Sequence, residues 1–190
     1  AFIVPDDYRK MSSGQLSGVL SRAFFVHSGL SYEGTPRQEF GGLSHLEGKT
    51  VAVLYDGAVH PPLLVRDGVI KLRRAASVVH VGLPYEAAVE TVNFEPTQQY
   101  GVSVGRPKRI AKVVLKVEAA SMIRVGVNGE TVEPKWRSDE PYGTPPKLRG
   151  GALDVVVPGY CDQECSVWVT SSEPVPFSVL SISPDVSVPA

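Results

Sequence analysis

Arg109-Ile-Ala-Lys-Val-Val-Leu-Lys-Val-Glu118 decides the fold. Val113, Leu115 and Val117 fall on one side of an extended chain, and Lys112, Val114, Lys116 and Glu118 fall on the other. Side chains alternate across a strand with a period of two, so this stretch predicts a half-buried strand with one dry face. Downstream, Asn128-Gly129 separates Met122–Val127 from Glu130–Val132, and Asn-Gly is the strongest short hairpin signal. A loop with Pro134, Pro141, Pro145 and Pro146 spans 133–151. Leu153–Val157, Cys165–Thr170 and Phe177–Ile182 then supply the last strands, with regular structure ending at Pro184 and Pro189.

Upstream the same grammar continues. Ala23–Val26 and Ser28–Tyr32 read as strand, broken at Glu33-Gly34 and Pro36. Thr50–Tyr55 is β-branched and closes on Asp56-Gly57, and Leu63–Arg66 closes on Asp67-Gly68. Asp-Gly favours positive φ and marks hairpin turns. Val69–Arg73 alternates, and Ser77–Gly82 completes the series. Short strands at regular spacing predict a small barrel or sandwich. Residues 86–94 add one more strand, and 95–107 read as a long loop. The expected organisation is mainly β with little helix. An irregular arm at 1–22 precedes a small β-barrel-like lobe at 23–85. A second antiparallel, sandwich-like lobe follows at 86–187, with a tail at 188–190. Within the arm, Leu16, Val19 and Leu20 have helical spacing, weakened by Gly14 and Gly18, so a short helix and an extended arm both fit.

Composition narrows the function classes. The chain has 190 residues, 43% hydrophobic and 21% charged, so it can bury a core. Its net charge of −1 is far from that of a protein devoted to coating nucleic acid. No apolar run reaches the roughly 18–20 residues of a membrane span, so membrane insertion is not expected. Asp6 and Asp7, with no apolar stretch behind them, are unlike a signal peptide, and the first residue is Ala1. A processed product or an excised piece is expected on that ground.

The chemistry-bearing residues are sparse. His27, His45, His60 and His80 are too far apart for a local metal-ligand pair, and His80 among valines reads as a satisfied sheet histidine. Cys161 and Cys165 flank three residues, unlike a redox motif. Free thiols are expected there, with a local disulfide the geometric alternative. Asp139, Glu140, Asp162 and Glu164 read as solvated loop acids. Neither a nucleophile elbow nor a phosphate loop occurs. No enzyme activity, cofactor or metal is therefore expected. Arg106, Lys108, Arg109, Lys112 and Lys116 form a basic stripe that could face a channel or phosphates, and Arg73 and Arg74 make a smaller one. Among the aromatics Tyr32, Tyr55, Tyr142, Trp136 and Trp168, the loop pair Trp136 and Tyr142 are the ligand-contact candidates, while Trp168 in an alternating strand reads as core.

Longer strings carry a family likeness. Ala23-Phe-Phe-Val-His-Ser-Gly-Leu-Ser-Tyr-Glu-Gly34 and Gly42-Leu-Ser-His-Leu-Glu-Gly-Lys-Thr-Val-Ala-Val-Leu-Tyr-Asp-Gly57 resemble segments of the tail nozzle (tail tubular) proteins of short-tailed bacteriophages and prophages. Arg74-Ala-Ala-Ser-Val-Val-His-Val-Gly-Leu-Pro-Tyr85, Lys108–Val117 and the ending Ser172–Val186 are similar too. The likeness covers roughly 23–187 and falls on the C-terminal part of proteins several times longer. The first lobe is also similar in pattern to the small β-barrel inserted in ubiquitin-activating enzymes, a likeness of shape without ubiquitin chemistry. The resemblance implies a virion protein made in the bacterial cytoplasm, without catalytic residues. It would assemble with other copies of itself and neighbouring tail proteins around the DNA exit channel. Uncovered sheet edges suit such assembly, and near-neutral charge suits a wall past which double-stranded DNA moves with only non-specific contact. An excised module of this kind would be a monomer or weak oligomer without hydrolase activity. The alternative is a carbohydrate- or receptor-binding module at the tail tip.

Overall fold

In the computed structural model, residues 10–95, 105–134, 144–145, 147–161 and 164–188 are described. They are mainly β, in antiparallel sheets. The chain divides into two compact units. One comprises Ala1–Tyr85, Arg137–Leu148 and Ser172–Pro176, and the other Glu86–Trp136, Arg149–Ser171 and Phe177–Ala190.

The first unit opens with helix α1, Ser13–Leu20. Its start is a capping box: the Gln15 N–H donates to Ser12 Oγ and the Ser12 N–H to Gln15 Oε1 (2.9 Å). The capping box and the burial of Leu20 and Ala23 favour helix over an extended arm despite the glycines. Four strands follow: β1 (His27–Phe40), β2 (Thr50–Tyr55), β3 (Ala58–Leu64) and β4 (Ile70–Leu83), in the order β1-β4-β2-β3. The core includes Phe40, Leu43, Val53, Leu72, Val79 and Val81. The barrel expected here is not closed: β1 and β3 remain the two ends of an open sheet. Both Asp-Gly pairs take the left-handed conformation that hairpin turns require, with φ of 46° and 81° at Asp56-Gly57 and 53° and 66° at Asp67-Gly68. Carboxylates brace these turns. Asp56 accepts the Val78 N–H (2.9 Å), and Glu47 accepts the Gly68 N–H (2.7 Å).

The break expected at Glu33-Gly34 and Pro36 does not occur. β1 runs through it, with register shifts between Glu33 and Arg37 and between Arg37 and Glu39. An edge strand has a free side, where bulged residues and a proline without an N–H are tolerated.

The second unit holds two sheets. One has the order β5-β10-β7-β8, from β5 (Ala87–Glu90), β7 (Arg124–Val127), β8 (Glu130–Val132) and β10 (Val167–Ser171). The other has the order β11-β6-β9, from β6 (Lys108–Ala120), β9 (Arg149–Cys161) and β11 (Ser178–Ser187). Both bury their inner faces in one core, where Ile110, Val113 and Leu115 of β6 join Val125 of β7, Val155 of β9 and Val167 of β10. Asn128-Gly129 makes the β7–β8 turn at φ 49° and 85°. β11 does not stop at Pro184, which pairs with Val113 on the edge of its sheet.

The decisive strand behaves as read from Lys112 to Val117 and then differs. Against β11 it carries one extra residue at Ala111. A bulge shifts the alternation by one, so Ile110 and Lys108 turn to the core side along with Val113 and Leu115. Opposite Ile110 stands Gly159, where a Cβ would run into the Ile110 carbonyl and Val127.

Candidate functional site

Among the described residues a polar constellation gathers in the second unit, around the segment that leads into β10. Cys161 and Cys165 are disulfide-bonded, with Cα atoms 5.3 Å apart. This corrects the expectation of free thiols. Cys161 ends β9 and Cys165 precedes β10, and both side chains point into the core, which brings the sulfurs together.

Side chains remote in sequence pin the returning segment. The Cys165 N–H donates to Asn93 Oδ1 (2.6 Å), and the Phe94 N–H donates to the Cys165 carbonyl (3.0 Å). Thr91 Oγ1 accepts the Val167 N–H (2.9 Å). Asn128 clamps the segment from the other side: Oδ1 accepts the Ser166 N–H and Nδ2 donates to the Glu164 carbonyl, both at 3.0 Å. Beside these clamps opens a cleft of about 510 Å³, lined in part by Glu90, Asn93, Asn128, Glu164, Ser166 and Trp168. Trp168 Nε1–H donates to Ser166 Oγ (3.2 Å), whose own proton goes to Glu90 Oε1 (2.8 Å). The indole is fixed at one wall of a concave surface with exposed carboxylates near it. That arrangement suits a ligand with a flat apolar face and hydroxyl donors. The Ser166 hydroxyl is thus committed to Glu90, and the four histidines belong to the first unit.

Trp168 is therefore a correction as well. It faces opposite to the buried Val167 and Val169 and is half-buried on the cleft. Strand alternation revealed two faces, but not which of them met the core. Trp136 and Tyr142, the expected ligand contacts, lie outside the described residues, as do Asp139, Glu140 and Asp162. Tyr55 is core, and Tyr32 lies under the Arg37 guanidinium, 3.8 Å from the ring centre.

The basic stripe forms only in part: Lys108 turns inward, while Arg109, Lys112 and Lys116 keep to the outer side of β6. Arg106 and Arg109 are exposed. Lys108 is wholly buried, with Nζ 2.8 Å from Glu95 Oε1. Lys112 donates to Asp154 (2.9 Å) at the surface. The hydrogen bond that Lys112 donates to Asp154, and then the charge of Asp154, hold the Lys112 ammonium above the usual 10.5. The inward turn of Lys108 follows from the bulge at Ala111, which a strict period of two hides.

His80 is the satisfied sheet histidine that its setting suggested. Nε2–H donates to the Ser21 carbonyl (2.6 Å), so Nδ1 is the acceptor for the Ser31 hydroxyl (2.7 Å). Among the described residues no group of three His, Cys, Asp or Glu is placed to hold a metal ion. No helix among them is long and apolar enough to cross a membrane. No protein-family model matches the chain, and no curated protein matches its sequence.

Proposed function

We propose that this chain is a building module of a bacteriophage tail, of the nozzle or tube type, which works by assembling with copies of itself and neighbouring tail proteins around the DNA exit channel. The observation that carries this reading is the outer face of β9. Val156 is 79% exposed and Tyr160 70% exposed, beside Lys112 and Arg109 on β6. Large apolar side chains laid bare on a sheet are what an adjoining subunit covers. The strings that resemble nozzle proteins support the same reading. So does the sheet architecture, in which β9, the strand that bears those side chains, is itself an open end. Charge fits it too: a net −1 leaves passing DNA unretained.

The test is to induce phage particles from the bacterium that carries the gene, band them by density and locate the chain by mass spectrometry and gold-labelled antibody. Its presence at the tail of intact particles is expected. Complete, infective tails without it overturn the proposal.

The Trp168 cleft favours a second reading, a carbohydrate-binding module at the tail tip. Under that reading Trp168→Ala abolishes binding to host surface glycans that the unaltered chain retains. Absence of glycan binding by the unaltered chain removes it.

A further inference from the structure

Lys108, Glu95 and Asn93 meet in a way that neither the assembly reading nor the cleft uses. Lys108 is the first residue of β6 and has no exposed surface. Its Nζ lies 2.8 Å from Glu95 Oε1. Asn93 Nδ2 lies 2.9 Å from that same oxygen. An amine and a carboxamide nitrogen thus share one carboxylate oxygen. The amide carbonyl is engaged as well, because Asn93 Oδ1 accepts the Cys165 N–H at 2.6 Å. That donor is fixed in place, since Cys165 is disulfide-bonded to Cys161 and its own carbonyl accepts the Phe94 N–H.

We propose that Lys108 and Asn93 join in a self-formed isopeptide bond, with Glu95 as the residue that moves the protons. The parts are those of an acyl transfer: a nucleophile, a base touching it, a polarised carbonyl and a route for the leaving group. Glu95 takes a proton from the Lys108 ammonium, and the freed lone pair attacks Asn93 Cγ. The C–N bond forms, and the charge that develops on Oδ1 is met by the Cys165 N–H. Glu95 passes its proton to Nδ2, the Cγ–Nδ2 bond breaks, and ammonia departs with the second proton from Nζ. The product is a secondary amide between the two side chains. No oxidant, reductant or cofactor enters the balance, and each chain reacts once. The burial of Lys108 keeps water from the amine. Asn93 is exposed on the cleft, which gives ammonia a way out. The link would close the chain between 93 and 108 at the point where Lys108 pairs with Cys161 of the disulfide.

The experiment is the intact mass of the purified chain, reduced and denatured, followed by sequencing of its proteolytic peptides. The expected result is a mass lower than the sequence by one ammonia, about 17 Da, with a peptide carrying Asn93 linked to one carrying Lys108. Peptide sequencing is essential, because ring closure at Asn128-Gly129 would lose the same mass without any link. The full sequence mass, or a deficit located at Asn128, overturns the proposal. Glu95→Gln keeps both reacting groups and should restore the full mass. A Glu95→Gln chain that links as completely as the parent would remove Glu95 from the mechanism. If that variant does not fold, the linked peptide of the parent chain still decides the bond.

Discussion

The two units are both antiparallel β, yet their turns are secured differently. In the first, carboxylates do the work at close range in the fold: Asp56 and Glu47 accept backbone N–H groups beside the two Asp-Gly turns. In the second, neutral amides and a covalent bond do it. Asn93 and Asn128 grip the segment after β9, and Cys161–Cys165 closes it. Stability in one region therefore rests on burial and charge-to-amide bonds. The other adds a redox-dependent closure, because both cysteines of the chain lie in the second unit.

The largest effect should come from the separate cores. Leu72→Ala in the first and Leu115→Ala in the second each delete a side chain that is at most 2% exposed. Each should cost about 2–5 kcal/mol. Hydrogen exchange resolved by residue should show the loss mainly in the unit that carries the change. Equal losses in both units would mean that the two cores melt as one.

A smaller effect isolates the covalent difference. Closing a loop as short as Cys161–Cys165 is worth about 2 kcal/mol in the chain-entropy account. Reductant, or Cys161→Ser with Cys165→Ser, should lower protection in β9 and β10 by that order and leave β2 and β4 unchanged. Loss of protection in the first unit on reduction would contradict the division.

The smallest effect concerns the surface pair Lys112–Asp154. Its hydrogen bond and charge raise the lysine above 10.5 in the folded chain. The stabilisation is therefore complete below about pH 10.5 and is lost as pH rises through the higher folded-state value. Lys112→Gln should be slightly less stable than the parent at neutral pH and converge with it in strong alkali. Added salt should shrink the difference at every pH. A gap that widens in alkali would show that Asp154 is not the cause.

What the sequence made legible follows the same division. Asp56-Gly57, Asp67-Gly68 and Asn128-Gly129 were readable because positive φ is a local demand that few residues meet. The strand at Lys112–Val117 was readable because one sheet face is dry. Bulges hid more. One residue at Ala111 swung Lys108 from the supposed stripe into the interior, and shifts near Arg37 carried β1 across Gly34 and Pro36. The cleft was illegible for another reason: Asn93 meets Cys165, Thr91 meets Val167 and Asn128 meets Ser166 only after folding. No spacing rule links those positions. The Ser12–Gln15 capping box was a local signal that could have fixed α1 outright.

The rim of β1 has a consequence of its own. Glu33, Pro36, Arg37 and Glu39 are all exposed along this border strand, and β11 carries Pro184 and Asp185 in the same kind of position. Prolines and charges there deter stray strands from adding on. Newly made copies could then stand at high concentration without fusing into fibres, and would commit to one another only through broader surfaces.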